Sequence, residues 1–145
     1  LSQWTEAELA YFAGIIDGEG CISLCTSKKN VNNRYGTQVF IGNTDERLIQ
    51  WIHSRFGGTL GFRKRLKPNQ KDLWTVNFSG VTVEPILAAV LPYLVLKREQ
   101  AALMLEFRKT VREVGANTAN SPAAIEQRAA IRDQMQVLNY RGIRT

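Results

Sequence analysis

Two cysteines, one histidine and four prolines are all that the 145 residues hold of these types. Cys21 and Cys25 stand four apart in a segment that reads as a strand, and His53 is remote from both. That is too few ligands, wrongly spaced, for a structural zinc, so the cysteines read as small packing residues and no disulfide is needed. Hydrophobic residues make up 44% of the chain, an ordinary share, but no run reaches membrane-spanning length or follows a basic start in the manner of a signal peptide. The expectation is a soluble, intracellular protein with no membrane partner. No internal repeat is visible, and the length predicts one domain that buries about two thirds of its unfolded surface.

Acidic residues are also scarce, 13 against 19 Lys and Arg, and the imbalance is uneven. From Ser27 to Thr75 the basic residues Lys28, Lys29, Arg34, Arg47, Arg55, Arg63, Lys64, Arg65, Lys67 and Lys71 face only Asp45, Glu46 and Asp72. The rest of the chain is close to neutral. Any one exposed Lys is unremarkable, but a basic middle third made of strands and hairpin loops favours a polyanion as partner.

The segment Leu9 to Ile16 shows almost no polar side chain, so helical periodicity cannot pick out a solvent face. Leu9, Phe12 and Ile16 form one stripe; Ala10, Ala13, Gly14 and Asp17 form another of mostly small residues. The large stripe suits the protein's own core, and the small one would let a second backbone come close. Asp17 and Glu19 follow at a glycine-broken turn.

The remaining elements follow from local signals. Thr5 and Glu8 make a capping box for the first helix, which should run to about Asp17 and stop at Gly18 and Gly20. Strand one covers Cys21 to Ser27, with Ile22 and Leu24 on one face and Ser23, Cys25 and Ser27 on the other. Strand two spans Tyr35 to Gly42, where Val39, Phe40 and Ile41 blur the alternation. Asn43 and Glu46 suggest the cap of a second helix, which Gly57 and Gly58 end. Strand three puts Leu60 and Phe62 inward and Arg63, Arg65 and Lys67 outward; strand four sets Trp74, Val76 and Phe78 against Thr75, Asn77 and Ser79. Thr82 caps a third helix that Pro92 closes, a fourth runs from about Arg98 to Val114, and Ser121 with Pro122 opens a last one reaching about Asn139. The class is α+β, in the order α-β-β-α-β-β-α plus a C-terminal helix, with one four-stranded antiparallel sheet.

A wet sheet face alone proves nothing. Its side-chain mixture says more. Arg34, Arg63 and Arg65 can fork onto guanine, Gln38 and Asn77 onto adenine, and Ser23, Ser27 and Thr75 onto several edges, with Cys25, Lys29 and Lys67 alongside. Such a face suits a β-ribbon in the major groove of double-stranded DNA.

The segment Phe12-Ala13-Gly14-Ile15-Ile16-Asp17-Gly18-Glu19-Gly20 resembles the name-giving motif of the LAGLIDADG homing endonucleases. Gly42-Asn43-Thr44-Asp45, Phe56-Gly57-Gly58-Thr59 and Leu91-Pro92-Tyr93-Leu94-Val95-Leu96-Lys97-Arg98-Glu99-Gln100-Ala101 look like further segments of that family, in family order. The likeness covers about residues 5–114, leaving a helical extension at about 121–139 within a single 1–145 domain. With one motif per chain it implies a homodimer through Ala10, Ala13, Gly14 and Asp17, and a saddle-shaped sheet over DNA.

Phosphodiester cleavage calls for a metal, and hard divalent ions choose carboxylate and carbonyl oxygens. Glu19 fits on a Gly-flanked turn where carbonyls such as that of Gly18 are free. By resemblance Glu19 is the catalytic ligand of Mg2+, in a place where the family usually has Asp. Asp17 is given a mainly structural role. Lys97, by composition a solvated residue at a helix start, matches the family's active-site lysine, implied to act on the attacking water or the phosphate. Asn43 could position water, but its capping role explains it. Two such sites across the minor groove would make a staggered double-strand break in a long pseudo-palindromic target. A relative that binds DNA or intron RNA without cleaving, as a transcription regulator or maturase, is the alternative.

Overall fold

The computed structural model describes residues 3–25, 35–112 and 121–140. Within them lie five α-helices: α1 (Glu6–Glu19), α2 (Glu46–Phe56), α3 (Val83–Val90), α4 (Arg98–Arg112) and α5 (Pro122–Asn139). Four strands, β1 (Gly20–Cys25), β2 (Gly36–Asn43), β3 (Thr59–Arg63) and β4 (Leu73–Ser79), form one antiparallel sheet in the order β1-β2-β4-β3.

Register decides which residues share a face. Ile22 lies opposite Val39, Ile41 opposite Val76, and Val39 opposite Phe78, and all five are buried. These side chains meet Leu9, Phe12, Ala13 and Ile16 of α1 and Ile49, Ile52 and Phe56 of α2 in one core. The Phe12 ring stacks on Phe56 with centroids 4.2 Å apart, and full burial of such a ring contributes roughly 1.5–3 kcal/mol. Successive strand residues alternate faces, so Ser23, Gln38, Phe40, Asn77 and Thr75 are turned to the opposite side. The uncertain register of β2 is thereby resolved, with Phe40 on the outer face.

Helix α1 runs two residues further than Asp17, so Glu19 is its last residue rather than one beyond it. Thr5 caps its start by accepting from the Glu8 amide at 3.1 Å. At its end Gly20 turns directly into β1, its N–H bonded to the Ile16 carbonyl. A Cβ on Gly20 would sit 2.9 Å from Ile16 Cα and its oxygen, so no larger residue fits this helix-to-strand corner without displacement. Gly58, at φ 87°, similarly lets the α2–β3 corner press on Val76 and Phe78.

Several local expectations are corrected. The N-cap of α2 is Asp45, whose carboxylate accepts from the Arg47 amide at 2.9 Å, and Asn43 instead accepts from Asp45 N–H at 2.7 Å. Leu60 and Phe62 keep the inward parity opposite Val76 and Trp74, but they are 39% and 52% exposed because β3 is an edge strand beyond the cover of the helices. Strand β3 ends at Arg63, so Arg65 and Lys67 stand outside it. The hydroxyl of Thr82 stays with Ser79, donating to its carbonyl and accepting from its N–H, and makes no cap on α3. Ser121 does cap α5, accepting from Ala124 N–H, and Asn139 at the other end donates to the Ile22 carbonyl of β1 at 2.8 Å.

Candidate active site and nucleic-acid interface

The exposed side of α1 is set by what the core takes. Ala13 is fully buried, which removes it from the expected interface stripe. Ala10, Gly14 and Gly18 are exposed, spaced four apart along one side of the helix, with Tyr11 beside them and Glu19 at the end. They line a shallow groove of about 450 Å3, together with Ile15 and Leu48 of α2. Tyr11 is held edge-on against Trp51, centroids 4.9 Å apart, so one wall of the groove is aromatic. A Cβ on Gly14 would meet nothing within 4 Å, so its lack of a side chain serves no contact inside the described fold.

Asp17 faces elsewhere, correcting its place on that stripe. Its carboxylate accepts from three successive backbone amides, Val95 at 2.8 Å, Leu96 at 3.1 Å and Lys97 at 3.0 Å, at the start of α4. Lys97 answers from the other side: its Nζ donates to the carbonyls of Ile16 at 2.9 Å and Asp17 at 2.7 Å, at the end of α1. A carboxylate holds the turn that leads into the positive end of α4 and an ammonium meets the negative end of α1, so the two helix ends are tied to each other. Lys97 is therefore a half-buried cross-cap rather than a solvated side chain.

Glu19 is exposed, and its Oε2 accepts from Asn43 Nδ2 at the end of β2. The Asn43 oxygen is in turn fixed by the Asp45 amide, so this asparagine bridges helix and sheet instead of capping α2. Nearby, the side chain of Arg47 grips Asp45 with Nη2 at 2.7 Å and holds the Asp45 carboxyl down at about 2. The sequence had Asn43 in view, but its link to a carboxylate on α1 depends on the β1–β2 pairing.

Among the described residues no three His, Cys, Asp or Glu side chains gather as a metal set. Glu19 offers one hard carboxylate beside the end of α1, where Gly18 belongs to the last turn and helix carbonyls have no intrahelical partner. Such a donor set matches a small divalent cation, which keeps waters and takes one or two carboxylates plus substrate phosphates.

The sheet gathers much of the expected reading surface. Ser23, Cys25, Gln38, Asn77, Thr75 and Arg63 share the outer face by register. Gly61 lies opposite Thr75, and a Cβ there would fall 2.3 Å from Thr75 Oγ1, so the glycine makes room for that hydroxyl. Asn77 Oδ1 is buried without a partner among the described residues. Arg65 is used inside the β3–β4 hairpin: its Nε donates to the Lys71 carbonyl at 3.0 Å and its N–H to Asp72 at 3.1 Å. Lys67 is exposed at the hairpin turn, where its carbonyl accepts from Gln70. Ser27, Lys29 and Arg34 lie outside the described residues. No helix among the described residues is long and apolar enough to cross a membrane.

Comparison of the sequence with family models finds no match, and comparison with curated proteins finds none either. Solved structures do match. The homing endonuclease I-CvuI, in complex with its target in the presence of calcium, is 26% identical, with 96% of this chain and 86% of that one covered and a TM-score of 0.72. The archaeal intron-encoded homing endonuclease I-Vdi141I, complexed with DNA, superposes at TM-score 0.76 over 96% of this chain and 88% of that one, at 15% identity. The LAGLIDADG homing endonuclease I-GzeII matches over 89% of this chain but 45% of its own, at TM-score 0.68 and 15% identity. A sheet turned outward, a helix ending in a carboxylate and matches over most of the length of I-CvuI and I-Vdi141I agree: the fold of this chain is that of the LAGLIDADG homing endonucleases, which its structural neighbours are.

Proposed function

We propose that the protein is a site-specific, metal-dependent DNA endonuclease that acts as a homodimer. The observation that carries this reading is the place of Glu19. It is a single exposed carboxylate, steadied by Asn43, at the point where the uncovered small-residue side of α1 meets the polar sheet. One such group per chain serves one strand, so a duplex break needs two chains. The groove along Ala10, Gly14 and Gly18 is where a second copy's helix comes close, and it brings two Glu19 residues together about the twofold axis.

On this reading Cys25, Ser23, Gln38, Thr75, Asn77 and Arg63 meet the major groove, and Lys67 follows the duplex outward at the hairpin tip. Arg65 contributes to the same end by stiffening the hairpin. Glu19 and the Gly18 carbonyl would hold Mg2+, which supplies charge neutralisation at the phosphate and a more acidic water. Asn43 keeps the Glu19 carboxylate turned toward the sheet. Lys97, on the carbonyls just before Glu19, adds positive charge under the scissile phosphate and fixes the helix end that carries the carboxylate.

Cleaved sites selected from a randomised duplex library in magnesium would give the target and test the reaction. On the selected duplex Glu19→Gln, which keeps the shape and removes the charge, should abolish cleavage while binding in calcium persists, because affinity rests on the sheet's phosphate contacts. Cutting by Glu19→Gln at near wild-type rate in magnesium would overturn the mechanism. Glu19→Asp should retain activity.

A further inference from the structure

Two of the outer-face residues hold each other. Cys25 ends β1, and Gln38 on β2 lies directly opposite Ser23, so Cys25 is its diagonal neighbour on the same face, one pleat along. The Cys25 Sγ donates to Gln38 Oε1 at 2.7 Å. Cys25 is exposed and Gln38 half-buried, so the pair sits where the sheet meets its surroundings.

The direction of that hydrogen bond has chemical content. A glutamine amide has an accepting end and a donating end, and recognition of adenine uses both at once, the oxygen taking N6–H and the nitrogen giving to N7. A thiol has one hydrogen to give and is a weak acceptor, so as a neighbour it selects the oxygen. With Oε1 drawn sideways onto β1, the Nε2 hydrogens are the part of Gln38 left to approach a base edge. Guanine presents two acceptors there, O6 and N7, whereas adenine presents one acceptor beside a donor.

We infer that Cys25 is a positioning residue that sets the polarity of the Gln38 amide, making Gln38 a reader of the guanine acceptor edge rather than an adenine fork. The inference rests on the reading of the sheet as a DNA surface. Cys25 makes no base contact of its own in this scheme; it acts through Gln38. A hydroxyl can donate in the same way, so serine is its functional equivalent, while alanine leaves the amide free to turn over.

The test compares the wild-type protein with Cys25→Ala, Cys25→Ser and Gln38→Ala, with cleaved sites selected from a randomised duplex library in magnesium. Wild type should prefer guanine over adenine about tenfold at one symmetry-related pair of positions. Cys25→Ser should keep that preference, Cys25→Ala should let adenine rise to near parity, and Gln38→Ala should flatten discrimination at the same pair. An unchanged Cys25→Ala profile, or a Cys25→Ser profile that follows Cys25→Ala, would overturn the inference while leaving the endonuclease reading intact. If wild type selects no site at all, the endonuclease reading fails and this inference with it. A readout without DNA separates the two: the side-chain NH2 resonances of Gln38 should move in Cys25→Ala and return in Cys25→Ser, and resonances identical in all three proteins would refute the thiol contact itself.

Discussion

Replacing Asp17 by alanine removes one carboxylate that serves three backbone donors. Of these, the Val95 and Leu96 amides belong to residues 79% and 72% exposed, so water can replace the lost acceptor there at little cost. The Lys97 amide is half-buried, and its loss resembles removal of a helix N-cap, worth about 0.5–2 kcal/mol. The lost negative charge at the start of α4 adds roughly 0.3–1 kcal/mol. The expected destabilisation is therefore about 1–3 kcal/mol, large against a total folding stability of roughly 5–15 kcal/mol. Urea unfolding at fixed protein concentration measures it, because the proposed dimerisation would make the midpoint depend on concentration. Asp17→Asn keeps an accepting oxygen and should recover part of the loss. Since Lys97 closes the same joint from the other side, Asp17→Ala and Lys97→Met should be non-additive by about 0.5 kcal/mol or more. If Asp17→Ala stays within about 0.5 kcal/mol of wild type, or the two changes simply add, the helix ends do not depend on one another as described.

Three further outcomes are expected. Gly14→Leu has open space in the described fold, so circular dichroism should remain native while sedimentation shows a monomer; a dimer of normal mass would place the interface elsewhere. Arg63→Ala should weaken binding of the selected duplex by about 1–3 kcal/mol and relax one position of the site, and unchanged affinity with unchanged preference would remove β3 from the reading surface. Asp45 should titrate at about 2 by NMR, chiefly through its hydrogen bond to the Arg47 side chain, and return toward 3.8 in Arg47→Ala. Because its folded value is depressed, its contribution to stability is present above pH 3.8 and is lost as pH falls through about 2; a midpoint unaltered in Arg47→Ala would contradict the pairing.

Much of the fold is legible because its signals are local. Caps at Thr5 and Ser121, the alternation in β4 and the glycines after α2 each depend on a few neighbours, and each lies where short-range chemistry puts it. The errors occur where an outcome depends on what covers a residue. Leu60 and Phe62 have the pattern of a covered strand, but cover is a property of the whole sheet, and an edge strand lacks it. Arg65 continues the alternation of β3 in sequence, yet the strand has ended and the hairpin's own Lys71 carbonyl claims the side chain.

The same reasoning explains which parts of the candidate site were visible. Glu19 stands out because a carboxylate after an apolar helix is conspicuous in itself. The rotation of α1 is different: with apolar residues on every side, nothing in its own pattern separates Ala13 from Gly14, and the sheet and α2 decide that Ala13 goes inside. Asp17 and Lys97 are harder still. Each is reasonable as a surface charge beside its own helix end, and each gains its role only when a helix terminus 80 residues away supplies the partner. The cross-capping pair also ties the carboxylate's position to α4, two residues from Glu19. The proposed interface, the proposed metal ligand and the lysine thus meet at one helix end, whose geometry is fixed by contacts that no single segment contains.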